Sequence, residues 1–588
     1  MKALKDYSFR FTAVMLLMIS VSVLSETPND YKFQFSPAPA QSIWMQVNNI
    51  NTVFRTDGYF NYDKVTFPGG NAGFIWPVSA TTRLTADFAT GIWIAAKVGP
   101  QRELRLAASL YNTHYSPGNI PVIGQVPPSS VCGDPAFKGY LVNLVDQSLV
   151  SGGTRTKTAG GRTYTFTYEQ WANWPVSQGA PYVEVNNIPG YQPGWNSDRP
   201  GIWHCTARPD EILWMVYMDY TNCTNNFHTT ELFLPGGTLP LGVEIQQLSF
   251  AFSQPGYSDM LFMKWRIINK SSQQWDSTYI SIVDDGDLGY PWDDAAGCDS
   301  AKQLGFIYNF DNDDDENYGP APPAIGYRLL ECPINYTGNY NDTAKLPYGN
   351  YPGYRLLRMS GHFMFWHSSN ICEGPPDEPI SAYNFMRGKD GCGNTIINWA
   401  YNYPTTFKFN GPLCPRSGWY DSVSGDIKNL ISTGPFKLNS GEERFLMAAV
   451  LIARGSDNLN SVCQLQTLSD NAALFYEQCM GGIPIGLTQI TSEVPERFEL
   501  YQNYPNPFNP VTKIKFSIPL LRGVSEGRGV LLVVYDMLGR EITTLVNENL
   551  TPGTYEVEFD GTNYSSGVYY YQLITNNYKD VKKMVLIK

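Results

Sequence analysis

Charged residues are scarce in this chain: they make up 16% of its 588 residues, and histidine occurs only five times. Coiled coils are rich in Ala, Glu, Lys, Leu and Arg, whereas disordered chains combine many charges with few aromatics. Aromatic residues reach 14% here, the opposite of a disordered composition. The composition therefore excludes both classes and predicts a folded chain with a large apolar core.

The common catalytic motifs are missing as well. No histidine stands in H-E-x-x-H, and the sequence has no G-x-S-x-G, Walker loop or G-x-G-x-x-G. His362 and His367 are five residues apart in an extended stretch, so they face opposite sides and are predicted to be structural. Carboxylate pairs that cleave glycosides meet only in three dimensions. No catalytic residue is assigned, and a hydrolase stays open as an alternative.

Positive charge is in deficit: 42 basic residues stand against 54 acidic ones, which gives a net charge of −12. Such a surface repels phosphate backbones, so nucleic acid is excluded as a partner. The ten cysteines are an even number without C-x-x-C spacing. They predict disulfides in an oxidising compartment.

The longest apolar run at the N-terminus is too short to cross a membrane. Lys2, Lys5 and Arg10 precede the run 11–24 (FTAVMLLMISVSVL), and small residues stand at the −3 and −1 positions before residue 26. The alternative, a membrane anchor, needs about 20 apolar residues. Residues 1–25 are therefore predicted to be a secretory signal peptide.

The chain has 52 Gly and 41 Pro residues, and they separate short apolar runs. This pattern is typical of an all-β chain. The runs 243–252, 261–268 and 278–283 follow one another closely and predict an antiparallel meander, one layer of a sandwich. One helix is predicted near 458–478, with Asn458 as its N-cap, because apolar residues recur there at steps of three and four. We expect a mainly all-β fold, with a β-sandwich body and this one notable helix.

The composition changes near residue 490. Residues 495–588 contain ten acidic and ten basic residues and no cysteine, whereas the preceding part carries the excess negative charge. The predicted domains are therefore 1–25, a β-rich body over 26–490 and a C-terminal domain over 491–588. A split of the body into two sub-domains near residue 240 is also considered. The short strands of the C-terminal domain predict an immunoglobulin-like β-sandwich.

The C-terminal domain carries recognisable motifs in a fixed order. They are FELYQNYPNPFNPVTKIKFSIP (498–519), VVYDMLGREI (533–542), PGTYEVEFDG (552–561), SGVYYYQL (566–573) and KKMVLIK (582–588). This part of the chain resembles the type A C-terminal sorting domain of the type IX (Por) secretion system of Bacteroidetes-like bacteria. The alternative is an ordinary structural sandwich.

The resemblance implies that the chain is exported across the outer membrane and is secreted or held at the cell surface. It also implies the type IX machinery and a sortase as partners, followed by attachment to surface lipopolysaccharide or release. Parts of the body resemble uncharacterised secreted proteins of Bacteroidetes- or Ignavibacteria-like bacteria. These parts are 174–181, 210–219, 283–306, 308–327 and 453–462.

The strongest local anomaly is acidic. Residues 284–316 contain eleven carboxylates and one lysine, and they begin where a predicted strand ends. Clustered carboxylate oxygens are the ligands that Ca²⁺ prefers, although the EF-hand spacing is not met. A solvated acidic loop is the alternative. The candidate calcium ligands are Asp285, Asp287, Asp293, Asp294, Asp311 and Asp313.

Aromatic residues are concentrated between 171 and 203, within a Pro- and Gly-rich stretch. They are Trp171, Trp174, Tyr182, Tyr191, Trp195 and Trp203. Exposed aromatics could stack on sugar rings, whereas buried ones would hold long loops against the sandwich, and we favour the second interpretation. We expect the body to be a structural or binding module with a glycan or protein ligand; the alternative is a secreted hydrolase acting on polysaccharide or protein.

Overall fold

The computed structural model describes most of residues 40–587. The segments outside the description are 1–39, 81, 144–153, 160–161, 168–172, 184–191, 194–208, 232, 315–316, 341, 347–348, 367, 369, 412, 414–418, 422–423, 481–487, 492–494, 496, 520–527, 538, 551–552, 562–563, 576–577 and 588. The predicted signal peptide lies outside it.

Most of the regular structure is β-strand, which confirms the prediction of a mainly all-β chain. The described α-helices are Ser129–Cys132, Pro379–Met386 and Asn458–Phe475. Shorter helical turns are Val176–Gln178, Thr221–Cys223 and the π-helical Tyr476–Met480. No helix in the described part of the chain is long and apolar enough to cross a membrane.

The largest sheet of the body has nine antiparallel strands. Across the sheet they run Asp294–Asp299, Leu304–Asn309, Ala324–Glu331, Glu443–Ala453, Met260–Asn269, Val243–Ala251, Glu211–Met218 and Ser116–Pro117, with Tyr140–Asn143 also paired to Glu211–Met218. The strands on either side of residue 240 therefore pair within one sheet. The division of the body near 240 stays a prediction.

A five-stranded sheet and a four-stranded sheet complete the larger elements of the body. The five strands are Met359–Trp366, Ile427–Leu438, Trp275–Asp285, Ala89–Val98 and Glu103–Ala107. The four strands are Ser42–Gln46, Asn51–Arg55, Phe74–Ile75 and Thr85–Asp87.

Several two-stranded hairpins lie outside these larger sheets. Their strand pairs are Thr154–Ala159 with Arg162–Thr167, Tyr182–Val183 with Gln192–Pro193, Asp313–Asp314 with Gly319–Pro320, Ile334–Tyr336 with Tyr354–Leu356, Thr343–Leu346 with Gly349–Pro352, and Ile396–Asn398 with Tyr403–Thr405.

The strand Met260–Asn269 shows why the nine-stranded sheet is buried on both faces. Successive side chains of a strand point to opposite sides. Leu261, Met263, Trp265 and Ile267 therefore enter the main core, which they share with Ile280 and Ile282 of the five-stranded sheet. Met260 and Phe262 point the other way, into a second core. The sheet is packed between the five-stranded sheet and a helix.

That helix is Asn458–Phe475, in the region where the sequence predicts one. Asp457 precedes it, and its Oδ1 accepts the backbone N–H of Asn460 at 2.8 Å, so the cap is one residue earlier than Asn458, which the sequence suggested. Val462, Leu465, Ala472 and Phe475 share the second core with Phe262. The apolar spacing thus places one face of the helix on the sheet.

Disulfides occur, as the cysteine content predicts. Cys132 is bonded to Cys223, and Cys372 to Cys392. Cys463 is also disulfide-bonded, whereas Cys298 and Cys332 are free and buried. The first bond joins the helix Ser129–Cys132 to the turn Thr221–Cys223, and the second joins two turns, whereas the sheets have large cores of their own.

Two four-stranded sheets form the C-terminal part of the chain. The first contains Thr488–Thr491, Gly553–Asp560, Val511–Ile518 and Glu499–Leu500; the second contains Glu541–Leu550, Arg528–Tyr535, Gly567–Thr575 and Tyr578–Leu586. Ile514, Phe516, Leu532, Val557 and Tyr571 belong to one core that draws on both sheets. An immunoglobulin-like topology and a boundary at residue 491 stay predictions.

Candidate functional site

The strand Trp275–Asp285 ends in two adjacent carboxylates that have different partners. Asp284 Oδ1 accepts a hydrogen bond from Asn429 Nδ2 at 3.1 Å. Asp285 Oδ2 accepts one from the hydroxyl of Tyr111, and its Oδ1 lies 3.1 Å from Lys428 Nζ. Adjacent strand residues point to opposite sides, so the two carboxylates serve separate environments.

Asp285, Asp287 and Asp426 form what we call the acidic cluster, because one carboxylate oxygen of each lies within 4.8 Å of the others. Asp426 was not among the candidates from the sequence. It directly precedes the strand Ile427–Leu438, which pairs with Trp275–Asp285 and places Asn429 opposite Asp284. Only this cross-strand register reveals that Asp426 and Asp285 are neighbours.

Lys428 lies inside the acidic cluster. Its Nζ contacts Asp426 Oδ1 as well as Asp285, and its side chain is buried. Burial opposes the charged form of this amine, but the carboxylates of Asp285 and Asp426 outweigh it and raise the pKa of Lys428 above its ordinary value. Three carboxylates thus face one internal cation.

Burial also acts on the carboxylates themselves. It raises the pKa of Asp285 against the opposing charge of Lys428, and it raises the pKa of Asp287, where the Asp285 charge adds to the effect. Ionisation of all three carboxylates is therefore unfavourable when Lys428 is their counter-ion. A second cation would favour the charged forms.

The other four candidate ligands lie outside the acidic cluster. Asp294 is buried, and its Oδ2 accepts the N–H of Leu288 at 3.1 Å. Asp293 is half-buried, and burial raises its pKa to about 6. Asp311 and Asp313 are exposed on a turn in which Asp311 Oδ1 accepts the N–H of Asp313. The structure thus brings together only Asp285 and Asp287 of the six.

Asp314 is the acidic residue that organises the loop, although the sequence did not single it out. It is buried, and its carboxylate accepts the backbone N–H groups of Tyr290, Asn317 and Tyr318. A carboxylate bonded by several N–H groups fixes a loop without a metal. These hydrogen bonds give one acidic residue of the stretch 284–316 a structural role.

The described histidines are buried against backbone carbonyl oxygens. His228 has Leu106 O and Asp219 O each at 2.9 Å from a ring nitrogen, and His362 Nδ1 bonds to Lys408 O. His114 contacts Thr229 O and is also buried. Hydrogen bonds to backbone carbonyl groups thus fix these three imidazole rings inside the protein. His204 and His367 lie outside the described residues.

Of the aromatics predicted between 171 and 203, only Trp174 has a described side chain. It is buried, and its Nε1 donates to Pro181 O at 2.8 Å. This contact agrees with the interpretation that such residues hold loops to the sandwich. The side chains of Trp171, Tyr182, Tyr191, Trp195 and Trp203 lie outside the description.

A row of exposed large apolar side chains lies on the hairpin formed by residues 396–405, which we call the aromatic hairpin. Its exposed fractions are 47% for Ile397, 64% for Trp399, 60% for Tyr401 and 45% for Tyr403. A run of this kind marks an interaction surface more often than isolated exposed residues do. The sequence signal was the spacing of two across NWAYNY, but nothing in it distinguishes an exposed hairpin from a buried strand.

The aromatic hairpin is held firmly at its turn and base. Buried Asn398 accepts the N–H groups of Ala400 and Tyr401 through its Oδ1. The rings of Tyr401 and Tyr403 stack with centroids 6.4 Å apart, and Trp399 meets buried Trp419 edge-on at 6.3 Å. The rings are therefore presented on an ordered backbone.

Two cavities of the body lie away from the acidic cluster. The first, of about 980 Å³, is lined by Arg55, Lys64, Lys138, Tyr140, Tyr164 and Phe166 among others, and we call it the basic groove. The second, of about 340 Å³, lies beside Cys332, Tyr351 and Tyr354. Neither cavity has an aspartate or a histidine among its described lining residues.

Residues 502–588 match the family model described as the secretion system C-terminal sorting domain. No curated protein matches the chain. The matched segment contains the motifs noted in the sequence from residue 502 onward, so the chain carries a sorting domain of the type IX secretion system. The protein is thus exported to the cell surface or the medium, as the sequence predicts.

Proposed function

We propose that the body is a binding module displayed at the cell surface, and that the aromatic hairpin is where it holds a polysaccharide. The observation that carries this proposal is the row of exposed large side chains from Ile397 to Tyr403. The flat, C–H-rich faces of sugar rings stack on aromatic rings, while their hydroxyl groups remain hydrated.

The chemistry of the aromatic hairpin favours an uncharged polymer. Residues 396–405 (IINWAYNYPT) contain no charged side chain, although the chain as a whole is acidic. Tyrosine hydroxyl groups and asparagine amides beside the rings can hydrogen-bond sugar hydroxyls. A polysaccharide chain can span the adjacent rings of Tyr401 and Tyr403.

A hydrolase is the less supported alternative. Glycoside cleavage needs two carboxylates that flank a substrate cleft. Asp285 is buried, engages Lys428 and Tyr111, and lines neither of the two cavities. The described histidines are held by backbone carbonyl groups and are poorly placed to act as a general base.

The test is binding to insoluble polysaccharides. We expect the wild-type protein to sediment with at least one uncharged polymer among cellulose, xylan and chitin. The double variant Trp399→Ala, Tyr401→Ala should bind about thirtyfold more weakly, since each ring contributes about 1 kcal/mol. The matched control is Tyr336→Ala, Tyr340→Ala, which removes two exposed rings from a different hairpin. Equal binding by both double variants would reject the proposal.

Calcium stays a prediction, now centred on the acidic cluster. Three carboxylates with one internal cation leave negative charge that a divalent ion can neutralise. Binding to the folded state would stabilise it by about 2.7 kcal/mol at a hundredfold excess over Kd. Thermal melts of the wild type should rise with millimolar calcium and fall with chelator, and Asp285→Asn, Asp287→Asn should lose this response. Melts that change with neither reagent would reject a calcium site at the acidic cluster.

We also propose that a sortase removes the sorting domain and that the body is then attached to lipopolysaccharide or released. This rests on the sorting domain at 502–588. The mass of the surface form tests it, because cleavage should remove the residues after a site near 490. A surface form that retains residue 587 would reject cleavage.

A further inference from the structure

We propose that the basic groove binds an anionic saccharide, at a site separate from the aromatic hairpin. Its volume of about 980 Å³ is at the upper end of the range for small-ligand sites, roughly 300–1,000 Å³. The groove lies between the strands Ser42–Gln46, Tyr140–Asn143 and Arg162–Thr167.

The lining of the groove has an unusual charge for this protein. Among the described residues, it includes three basic side chains and no acidic one, in a chain whose net charge is −12. Arg55 is neutralised by Asp57, with Nη2 and Oδ2 at 2.9 Å. Lys64 donates to the carbonyl of Tyr111 at 3.0 Å, and the carboxylates that act on its charge, Asp57 and Glu231, are not among the lining residues of the groove.

Lys138 supplies the most accessible of these charges. It is exposed, and within the described part of the chain no carboxylate lies at ion-pair distance from its Nζ. Its Nζ lies 5.3 Å from the ring centre of Tyr140. An anionic group that enters the groove would meet Lys138 and Lys64, and no lining residue that the structure describes is a carboxylate.

The aromatic part of the lining indicates a ring-containing ligand. Tyr140 is fixed by its hydroxyl, which donates to Ala136 O at 2.8 Å, and Tyr164 is fixed by the N–H of Trp44, which donates to its hydroxyl at 3.0 Å. Fixed rings beside lysines suit a pyranose that bears a carboxylate or a sulfate. The shared chemistry is a negatively charged sugar.

The experiment is calorimetric titration of the full secreted chain with three matched probes. They are an oligogalacturonate, a sulfated galactan oligomer and an uncharged galacto-oligosaccharide. We expect at least one anionic probe to bind ten or more times more tightly than the uncharged one. We also expect that affinity to fall as sodium chloride rises from 50 to 500 mM, because salt screens the attraction.

Variants locate the site. Lys138→Ala should weaken anionic binding about tenfold, since a hydrogen bond to a charged group contributes about 1.5 kcal/mol. Tyr140→Leu should weaken it without changing its dependence on salt. The control is Lys437→Ala, an exposed lysine outside the groove, which should bind as the wild type does.

Two results would overturn the inference. One is equal affinity for charged and uncharged probes, which would leave a binding groove without selectivity for charge. The other is the absence of binding by either anionic probe at millimolar concentration, in protein with a wild-type melt. Neither result bears on the aromatic hairpin, whose variants are scored with insoluble polymers.

Discussion

Asp426 joins Asp285 and Asp287 in the acidic cluster, and Lys428 supplies its cation. A carboxylate at residue 285 would be costly at this depth without a partner. The ammonium group 3.1 Å away lowers that cost. The same ammonium group competes with any metal ion for the cluster, because both need the oxygens of Asp285 and Asp426.

Replacement of Lys428 by Met should expose this competition. Loss of one member of a buried ion pair costs about 3–5 kcal/mol, so Lys428→Met should melt well below the wild type in chelator. Millimolar calcium should recover more stability in this variant than in the wild type, since the competing ammonium is gone. Lys437→Met is the control for an exposed lysine. A variant that melts as the wild type does, with or without calcium, would contradict the assigned role.

Asp87 is a second buried carboxylate and is surrounded by neutral donors. Asn61, Thr90 and Tyr327 all donate to its Oδ2, at 2.7 to 3.0 Å. Burial raises its pKa to about 7 despite these bonds. The folded state therefore holds a proton on Asp87 that the unfolded state releases near pH 4.

The consequence is a loss of stability as pH rises. The contribution of Asp87 is fully present below about pH 4 and is lost as pH rises through about 7, by up to roughly 4 kcal/mol. Asp87→Asn should show a smaller decline in unfolding free energy between pH 5 and pH 8 than the wild type. Asp134→Asn, on an exposed loop, should keep the wild-type slope. Equal slopes for wild type and Asp87→Asn would contradict the raised pKa.

The helix Asn458–Phe475 depends on its N-terminal cap and on its buried face. Asp457 satisfies the N–H of Asn460, one of the groups that lack partners at the start of a helix. Its apolar residues enter the second core beneath the nine-stranded sheet. The cap and the core fix where the helix begins.

Removal of the cap should have a measurable effect on stability. Asp457→Ala should lower the unfolding free energy in urea by about 1 kcal/mol, because a side-chain acceptor is lost. Asp457→Asn retains an acceptor oxygen and should stay within a few tenths of the wild type. If both variants lose the same unfolding free energy, the charge of Asp457 contributes more to stability than its hydrogen bond does.

The whole molecule combines an acidic body with a nearly neutral C-terminal part. Residues 495–588 contain equal numbers of acidic and basic residues. Among the described residues, the apolar cluster of the C-terminal sheets contains none before Phe498. A separate C-terminal domain stays a prediction, which this composition and this core support.

Deletion of residues 495–588 should stop export at the outer membrane. The truncated chain should accumulate in the periplasm, because a signal peptide directs passage through the inner membrane only. Cell fractionation with surface labelling distinguishes the compartments, and the full-length chain serves as the control. Truncated protein on the surface of intact cells would contradict the role of the sorting domain.

Local patterns in the sequence were enough to predict several features. Alternating apolar residues such as Leu261, Met263, Trp265 and Ile267 predict a strand with one core-facing side, and spacing of three and four predicts the helix near 458–478. Contiguous motifs between 498 and 588 identify the sorting domain. In each case the information lies within a few neighbouring residues, since periodicity and turns are local properties of the backbone.

Contacts between distant segments required the folded chain. Asp426 meets Asp285 through the pairing of two strands, and Lys428 enters the same group from that strand. Trp174 and Trp399 are chemically alike, yet one is buried and the other is exposed. Burial and long-range proximity depend on how sheets stack and register, and a single sequence does not encode these relations in its local pattern.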